Sequence, residues 1–203
     1  MAGVSRRLGV LGGTFDPIHY GHLVAAQEAQ YQLDLDYVLL VPVGQPPHKL
    51  DEPLSPVEHR VRMIEMAIEG RPRFVLSRVD VDRPGPQYTA DTLGLLHGAW
   101  GPDVRLFFIA GSDSLADILD WRDPERILAQ AELAVVERRR AGVDVEALER
   151  KLPALGQRLH WVQMPLLEIS STDLRARVRE GRPISFFLPP AVEGYILKHR
   201  LYQ

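Results

Sequence analysis

Two histidines three residues apart, His19 and His22, lie in the stretch GVLGGTFDPIHYGHL (9–23). An i, i+3 spacing puts both imidazoles on one face of a helical turn. Each can donate a hydrogen bond to a phosphate oxygen, and a nearby phosphate favours the protonated ring. Just upstream, Gly12 and Gly13 end an apolar run, Thr14 adds a hydroxyl, and Phe15 leads into the turn. The pattern predicts a strand whose glycines let backbone N–H groups turn outward. The next helix then points its positive end into the same space, which makes an anion site, most naturally one for phosphate. It is neither G-x-x-x-x-G-K-[ST] nor G-x-G-x-x-G. The bland alternative is a capped helix start with two surface histidines.

Two further stretches carry groups of the same kind. In ISSTDLR (169–175) the hydroxyls of Ser170, Ser171 and Thr172 crowd a predicted helix start, with Arg175 one turn later. Hydroxyls, free N–H groups and a forked cation suit phosphate, though an ordinary N-cap with a solvated arginine has the same composition. In AGSDSLADILDW (110–121), Gly111 and Asp113 follow an apolar strand and Trp121 comes eight residues after Asp113. Asp113 either caps a helix or binds ribose hydroxyls, and Trp121 either joins the core or stacks on a flat ring.

Elements that could hold these groups alternate along the chain. Strands are predicted at 6–12, 37–43, 73–81, 104–113, 132–138 and 158–164, and helices at 20–33, 55–70, 87–100, 124–130, from Asp144 onward, 170–181 and over the last residues. The 55–70 helix is expected to start with Ser55 as N-cap, Pro56 at the first helical position and Glu58 completing a capping box, and to stop at Gly70. The 170–181 helix is capped by Ser or Thr and stopped by glycine. Strand–helix alternation predicts βαβ units and a mainly parallel sheet, with ligands at the carboxyl ends of its strands.

Composition narrows the classes. The 203 residues suit a single domain over 1–203, with 170–203 as a small C-terminal helical part. A 45% hydrophobic and 25% charged composition predicts a soluble chain with a packed core. The formal net charge of -3 gives no global basic field for nucleic acid. The absence of cysteine excludes disulfides, thiolate catalysis and cysteine-ligated zinc. The N-terminal apolar run is too short for a signal peptide, and no run approaches the roughly 20 apolar residues of a membrane span, so a cytoplasmic protein is expected.

Taken together, GGTFDPIHYGH, PPHK (46–49), YTADTL (88–93), GSDSLADILDW and ISSTDLR resemble the nucleotidyltransferases that carry an HxGH signature, here His19-Tyr20-Gly21-His22. Within that superfamily the chain resembles the bacterial nicotinate-nucleotide adenylyltransferase family over nearly its whole length. Two stretches depart from the family pattern. ERRRAG (137–142) lacks the proline of the family's Arg-Pro-Gly, so Arg138 is the best match but Arg139 or Arg140 could serve. The segment before YTADTL reads RPGPQ.

The resemblance implies a Rossmann-like, doubly wound α/β fold and adenylyl transfer. The 5′-phosphate of nicotinate mononucleotide attacks the α-phosphorus of ATP, giving nicotinate adenine dinucleotide and pyrophosphate for NAD biosynthesis. The nucleophile is already anionic, so catalysis rests on alignment and charge stabilisation. His19, His22 and Arg175 are the implied catalytic residues. Gly12, Gly13, Thr14, Phe15, Gly111, Asp113, Ser171 and Thr172 would bind ATP. His48, Lys49, Thr89, Trp121 and Arg138 would bind the acceptor, while the bland reading of His48 and Lys49 is a solvated loop. Magnesium would bridge phosphate oxygens, with no protein ligand named. The implied partners are ATP and nicotinate mononucleotide, with neither nucleic acid nor membrane, and the family includes homodimers. An enzyme preferring the amide acceptor, nicotinamide mononucleotide, is the nearest alternative; an adenylyltransferase for phosphopantetheine is more distant. A non-catalytic ATP sensor of the same fold is the alternative from another class.

Overall fold

In the computed structural model, residues 6–46, 54–137 and 143–203 are described. The four most apolar segments form the centre of a sheet: β1 (Arg6–Gly13), β2 (Tyr37–Pro42), β4 (Val104–Gly111) and β5 (Ala131–Val136). The short strands β3 (Phe74–Leu76) and β6 (Leu159–Val162) form its edges. All pairings are parallel and the order is β3-β2-β1-β4-β5-β6, the doubly wound Rossmann arrangement. The order reverses between β1 and β4, the switch point at whose carboxyl ends sheets of this type take ligands.

Successive strand residues point to opposite faces, so each inner strand feeds two cores. Leu11, Val38, Leu40, Phe107, Ile109, Ala134 and Val136 belong to one buried cluster. On that side lie α1 (Tyr20–Gln32), α2 (Val57–Ile68), α8 (Ser171–Arg179) and α9 (Pro190–Lys198). Leu8, Val10, Leu39, Val41, Leu106, Phe108, Leu133 and Val135 belong to the other. It packs against α3 (Thr89–Trp100), α4 (Ser112–Ala116), α5 (Pro124–Gln130), α6 (Val145–Lys151) and α7 (Leu155–Arg158). Leu174, Ile184, Leu188, Val192 and Ile196 share the first core with β1, so the C-terminal helices pack onto the sheet itself. Fully burying a side chain of this size contributes about 1.5–3 kcal/mol.

Several predicted boundaries differ from the structure: the strands expected over 104–113 and 158–164 are Val104–Gly111 and Leu159–Val162. The strand expected over 73–81 ends at Leu76: among the described residues it pairs with β2 alone, over Val38–Leu40. Ser55 is not the N-cap of α2; Pro56 is, without a side-chain cap. Both backbone polar groups of Ser55 are used elsewhere, its N–H on Asp16 and its C=O on Arg60. The strand expected over 132–138 ends at Val136. The short helices α4 and α7, of 5 and 4 residues, are too brief to show a helical period in sequence.

Candidate active site

β1 runs through both glycines, with Gly12 opposite Val41 and Gly13 opposite Pro42. A Cβ on Gly13 would lie 3.3 Å from the Phe15 ring, closer than side chains ordinarily pack, whereas one on Gly12 would meet the Phe108 ring at an ordinary 3.6 Å. The expected outward turn at the glycines falls instead at Phe15, whose φ is 49° and whose side chain is fully buried. Gly12 stays exposed and Thr14 half-buried beside it.

The chain then enters α1 through His19, its N-cap, with His22 at the third helical position. The two rings stack at 3.7 Å between centroids, and Phe15 meets His22 edge-on at 5.0 Å. A Cβ on Gly21 would stand 3.0 Å from the His19 ring, which explains the glycine between the histidines. His19 is buried and His22 half-exposed. The His19 N–H donates to Nδ1 of His22 at 3.3 Å, which favours the His22 tautomer with its proton on Nε2. The fan of free N–H groups expected at this helix start is smaller than predicted. Tyr20 N–H donates to the Phe187 carbonyl and His22 N–H to the His19 carbonyl, each at 3.0 Å.

The distant ISSTDLR stretch docks directly on this loop. Ser171 Oγ donates to the Pro17 carbonyl at 2.9 Å, and Arg175 Nη1 donates to the Asp16 carbonyl at 2.8 Å. The three hydroxyls of the predicted cradle therefore have separate uses. Ser170 is the cap, accepting from Asp173 N–H at 3.1 Å. The Ser171 hydroxyl proton is on Pro17, and Thr172 is exposed. What α8 offers an anion is its first-turn amides and the remaining donors of Arg175.

The neighbouring strand supplies the third stretch. The β1–β4 register, Leu11 opposite Ile109, brings Gly111 level with Gly13. Gly111 caps α4, and Asp113 sits exposed in its first turn, so Asp113 is not the cap. Trp121 is half-buried and packs at right angles on Phe108 at 5.6 Å, the same ring that backs Gly12. Arg122 lies 4.3 Å over the ring of Tyr88, the N-cap of α3, which sets the Trp121 segment beside Thr89. Gln87 holds this helix start to the end of β2: its Oε1 accepts from Gln45 N–H at 2.6 Å, and its N–H donates to the Gln45 carbonyl at 3.2 Å. His48, Lys49 and Arg138, with Arg139 and Arg140, lie outside the described residues.

Three residues that hold the site were not singled out by the sequence. Arg60 is 1% exposed and donates to the carbonyls of Val43 (2.7 Å), Thr14 (2.8 Å), Ser55 (3.0 Å) and Gly44 (3.4 Å). Burial pushes its guanidinium below its ordinary value, opposed by the charge of Asp16. Its signal was available: Val57, Arg60, Val61 and Ile64 follow one helical stripe, and an arginine on an apolar stripe needs partners inside. Asp16, also 1% exposed, accepts from Ser55 N–H at 3.0 Å and Tyr202 Oη at 2.7 Å. No spacing connects Asp16 with Tyr202.

Comparison with known proteins matches residues 10–177 to the cytidylyltransferase-like family. The chain is 46% identical to a probable nicotinate-nucleotide adenylyltransferase of Thermomicrobium roseum, over 97% of this chain and 92% of the relative. It is 48% identical to one from Roseiflexus sp., over 98% and 99%. In fold it is similar to Plasmodium falciparum nicotinic acid mononucleotide adenylyltransferase complexed with NaAD. That match has a TM-score of 0.79 at 22% identity and covers 97% of each chain.

Proposed function

The chain belongs to the cytidylyltransferase-like family and, within it, to the nicotinate-nucleotide adenylyltransferases, and from that premise we propose how its residues perform the reaction. The enzyme transfers the adenylyl group of ATP to nicotinate mononucleotide and releases pyrophosphate, a step of NAD biosynthesis. The observation that best supports the residue assignment is the docking of α8 on the β1–α1 loop. Ser171 and Arg175 bond to Pro17 and Asp16 across 154 and 159 residues, which sets two anion-seeking groups side by side.

In this reading His22, the more exposed histidine, donates from Nε2 to the α-phosphate, with His19 beneath it completing the charge stabilisation. The Thr14 hydroxyl and the backbone of Gly12, Gly13 and Phe15 line the phosphate path. Arg175 uses one N–H on Asp16 and presents others to the β- and γ-phosphates, joined by the Ser171 and Thr172 amides. Gly111 and Asp113 place the adenosine ribose. Thr89 at the α3 start reads the nicotinate carboxylate, and Trp121 stacks on the pyridine ring. His48, Lys49 and Arg138 are proposed for the acceptor phosphate. Because the attacking phosphate is already anionic, these groups align and neutralise charge, and none needs to remove a proton from the nucleophile.

The donors gathered here are amides, hydroxyls, imidazoles and a guanidinium, which suit phosphate oxygens. Among the described residues no group of three or more His, Cys, Asp or Glu is placed to hold a metal. Magnesium carried by the ATP phosphates would supply charge neutralisation beside these donors. No helix among the described residues is long and apolar enough to cross a membrane, and a cytoplasmic setting is part of the proposal.

Pyrophosphate release with ATP, magnesium and either acceptor tests this reading. Release is expected with nicotinate mononucleotide and to be slower with the amide. A preference for the amide would overturn the substrate, and no release from folded protein with either acceptor would overturn the activity.

A further inference from the structure

We infer that Tyr202 is a positioning residue for adenylyl transfer, its hydroxyl acting through the Asp16 carboxylate to fix the loop that carries His19 and His22. The inference rests on the proposed assignment of those histidines. Asp16 stands three residues before His19, and its side chain is 1% exposed. A carboxylate taken that far from water needs donors, and two distant segments provide them. Ser55 N–H, at the approach to α2, reaches Oδ2 at 3.0 Å, and Tyr202 Oη, 186 residues away, reaches Oδ1 at 2.7 Å. A short hydroxyl–carboxylate bond of this kind is among the stronger neutral-to-charged hydrogen bonds.

The other ties on this loop grip its backbone: Arg60 holds the Thr14 carbonyl, Arg175 that of Asp16 and Ser171 that of Pro17. Backbone ties fix the path of the loop. The two bonds to the Asp16 carboxylate fix where that path sits relative to α2 and the last turn of the chain. The chain adopts an unusual backbone to make this contact. Arg200 and Tyr202 both have positive φ, 51° and 69°, a region that L side chains rarely enter. The Leu201 N–H donates to the Ile196 carbonyl at 3.1 Å, closing the last turn of α9 back toward the sheet. Burial, and then the charge of Asp16, push the Tyr202 hydroxyl above its ordinary value, so it remains a donor throughout the working pH range.

Tyr202→Phe keeps the ring and removes the hydroxyl, with its bond to Asp16 and its contact with the Ser55 side chain. The expected result is a kcat about 10-fold lower with KM for both substrates changed less than about 2-fold, because a shifted loop misplaces groups that act in the transition state. Amide hydrogen exchange, with no substrate present, should show residues 14–22 losing about 10-fold in protection while β4 is unchanged. Asp16→Asn, which keeps the volume of the side chain, should loosen the same amides. The double variant should lose no more kcat than the Asp16 single variant, since Tyr202 acts through the Asp16 carboxylate.

A Tyr202→Phe enzyme with wild-type kcat and a lower Tm would show packing alone and overturn the inference. Additive losses in the double variant, or a lower kcat with unchanged exchange at 14–22, would overturn it as well. If Tyr202→Phe fails to fold, Asp16→Asn still decides: unchanged exchange at 14–22 refutes the coupling. A wild-type protein that releases no pyrophosphate would instead count against the proposed function, while the exchange measurement still tests the contact.

Discussion

At the carboxyl ends of β1 and β2 the buried Arg60 donates to four backbone carbonyls, those of Thr14, Val43, Gly44 and Ser55. Near the amino end of β5 the buried Glu132 is bonded by two side chains, Arg105 on β4 and His160 on β6. The first set joins loops that no ladder holds. The second joins strands that β4–β5 and β5–β6 pairing already holds. Buried charge at the ligand end thus fixes loop paths, while at the opposite end it adds to an existing sheet. Losses at the first should reach the reaction, and losses at the second should stay in the stability.

The sharpest separation is expected from His22→Ala. His22 is half-exposed at the mouth of the site, and its ring contacts are with His19 and Phe15. Loss of one preorganised donor to developing charge should lower kcat by about 10²–10³. Tm should fall by only a few degrees, because the His19 N–H loses its His22 acceptor while no core volume is lost. Steady-state pyrophosphate release beside a melting curve checks both halves. Near-normal turnover would remove His22 from the proposed machinery and break the contrast at its strongest point.

Arg60→Met should be next, at about 3 kcal/mol of stability. Methionine fills much of the space but leaves buried carbonyls without a donor, and Asp16 loses the charge beside it. Urea unfolding measures the loss. Residual folded enzyme should also show reduced kcat, since Thr14 and Ser55 are both released. A variant that loses stability but keeps full kcat would mean that the loop path does not depend on Arg60.

Why His22 was legible and Arg60 was not follows from how each is encoded. His19, Gly21 and His22 lie within one turn, so their spacing in sequence is their spacing in space. Inner strands carry long apolar runs, broken only near their amino ends by residues such as Arg105 and Glu132, which made β1, β2, β4 and β5 readable. The edge strand β3 was overextended, because apolar residues such as Val79 continue past the last pairing at Leu76. Ser55 had the composition of a cap, yet its N–H and C=O are taken by Asp16 and Arg60. That outcome depends on a loop 39 residues away, and Tyr202 on one 186 residues away. The motif residues were readable as chemistry; the residues that aim them were written in tertiary contacts.

Trp121→Ala tests a milder effect on the acceptor side. Trp121 rests edge-on against Phe108 and is only half-buried, so its removal leaves the β1 loop ties intact. If it stacks on the pyridine ring, KM for the mononucleotide should rise about 10-fold while KM for ATP stays level. A fall in kcat with both KM values unchanged would place Trp121 in the core instead and leave the acceptor half without its proposed platform.

The smallest effect is expected at the far end of the sheet. Burial pushes the Glu132 carboxyl up, but hydrogen bonds and charge from Arg105 and His160 outweigh it and hold the carboxyl below its ordinary value. A carboxyl depressed in the folded state contributes stability above its unfolded value, about 4.3, and that contribution fades as pH falls through the lower folded value. Arg105 is half-exposed and screened by solvent, so the contribution is about 1 kcal/mol. Glu132→Gln should therefore lower Tm by a few degrees at neutral pH. Its deficit relative to the wild type should shrink as pH drops below 4.3. Turnover at neutral pH should be unchanged, because Glu132 joins strands and touches no loop of the site. A Gln variant with impaired turnover and normal Tm would show that the two ends of the sheet are coupled, and that the division between loop-fixing and sheet-fixing charge does not hold.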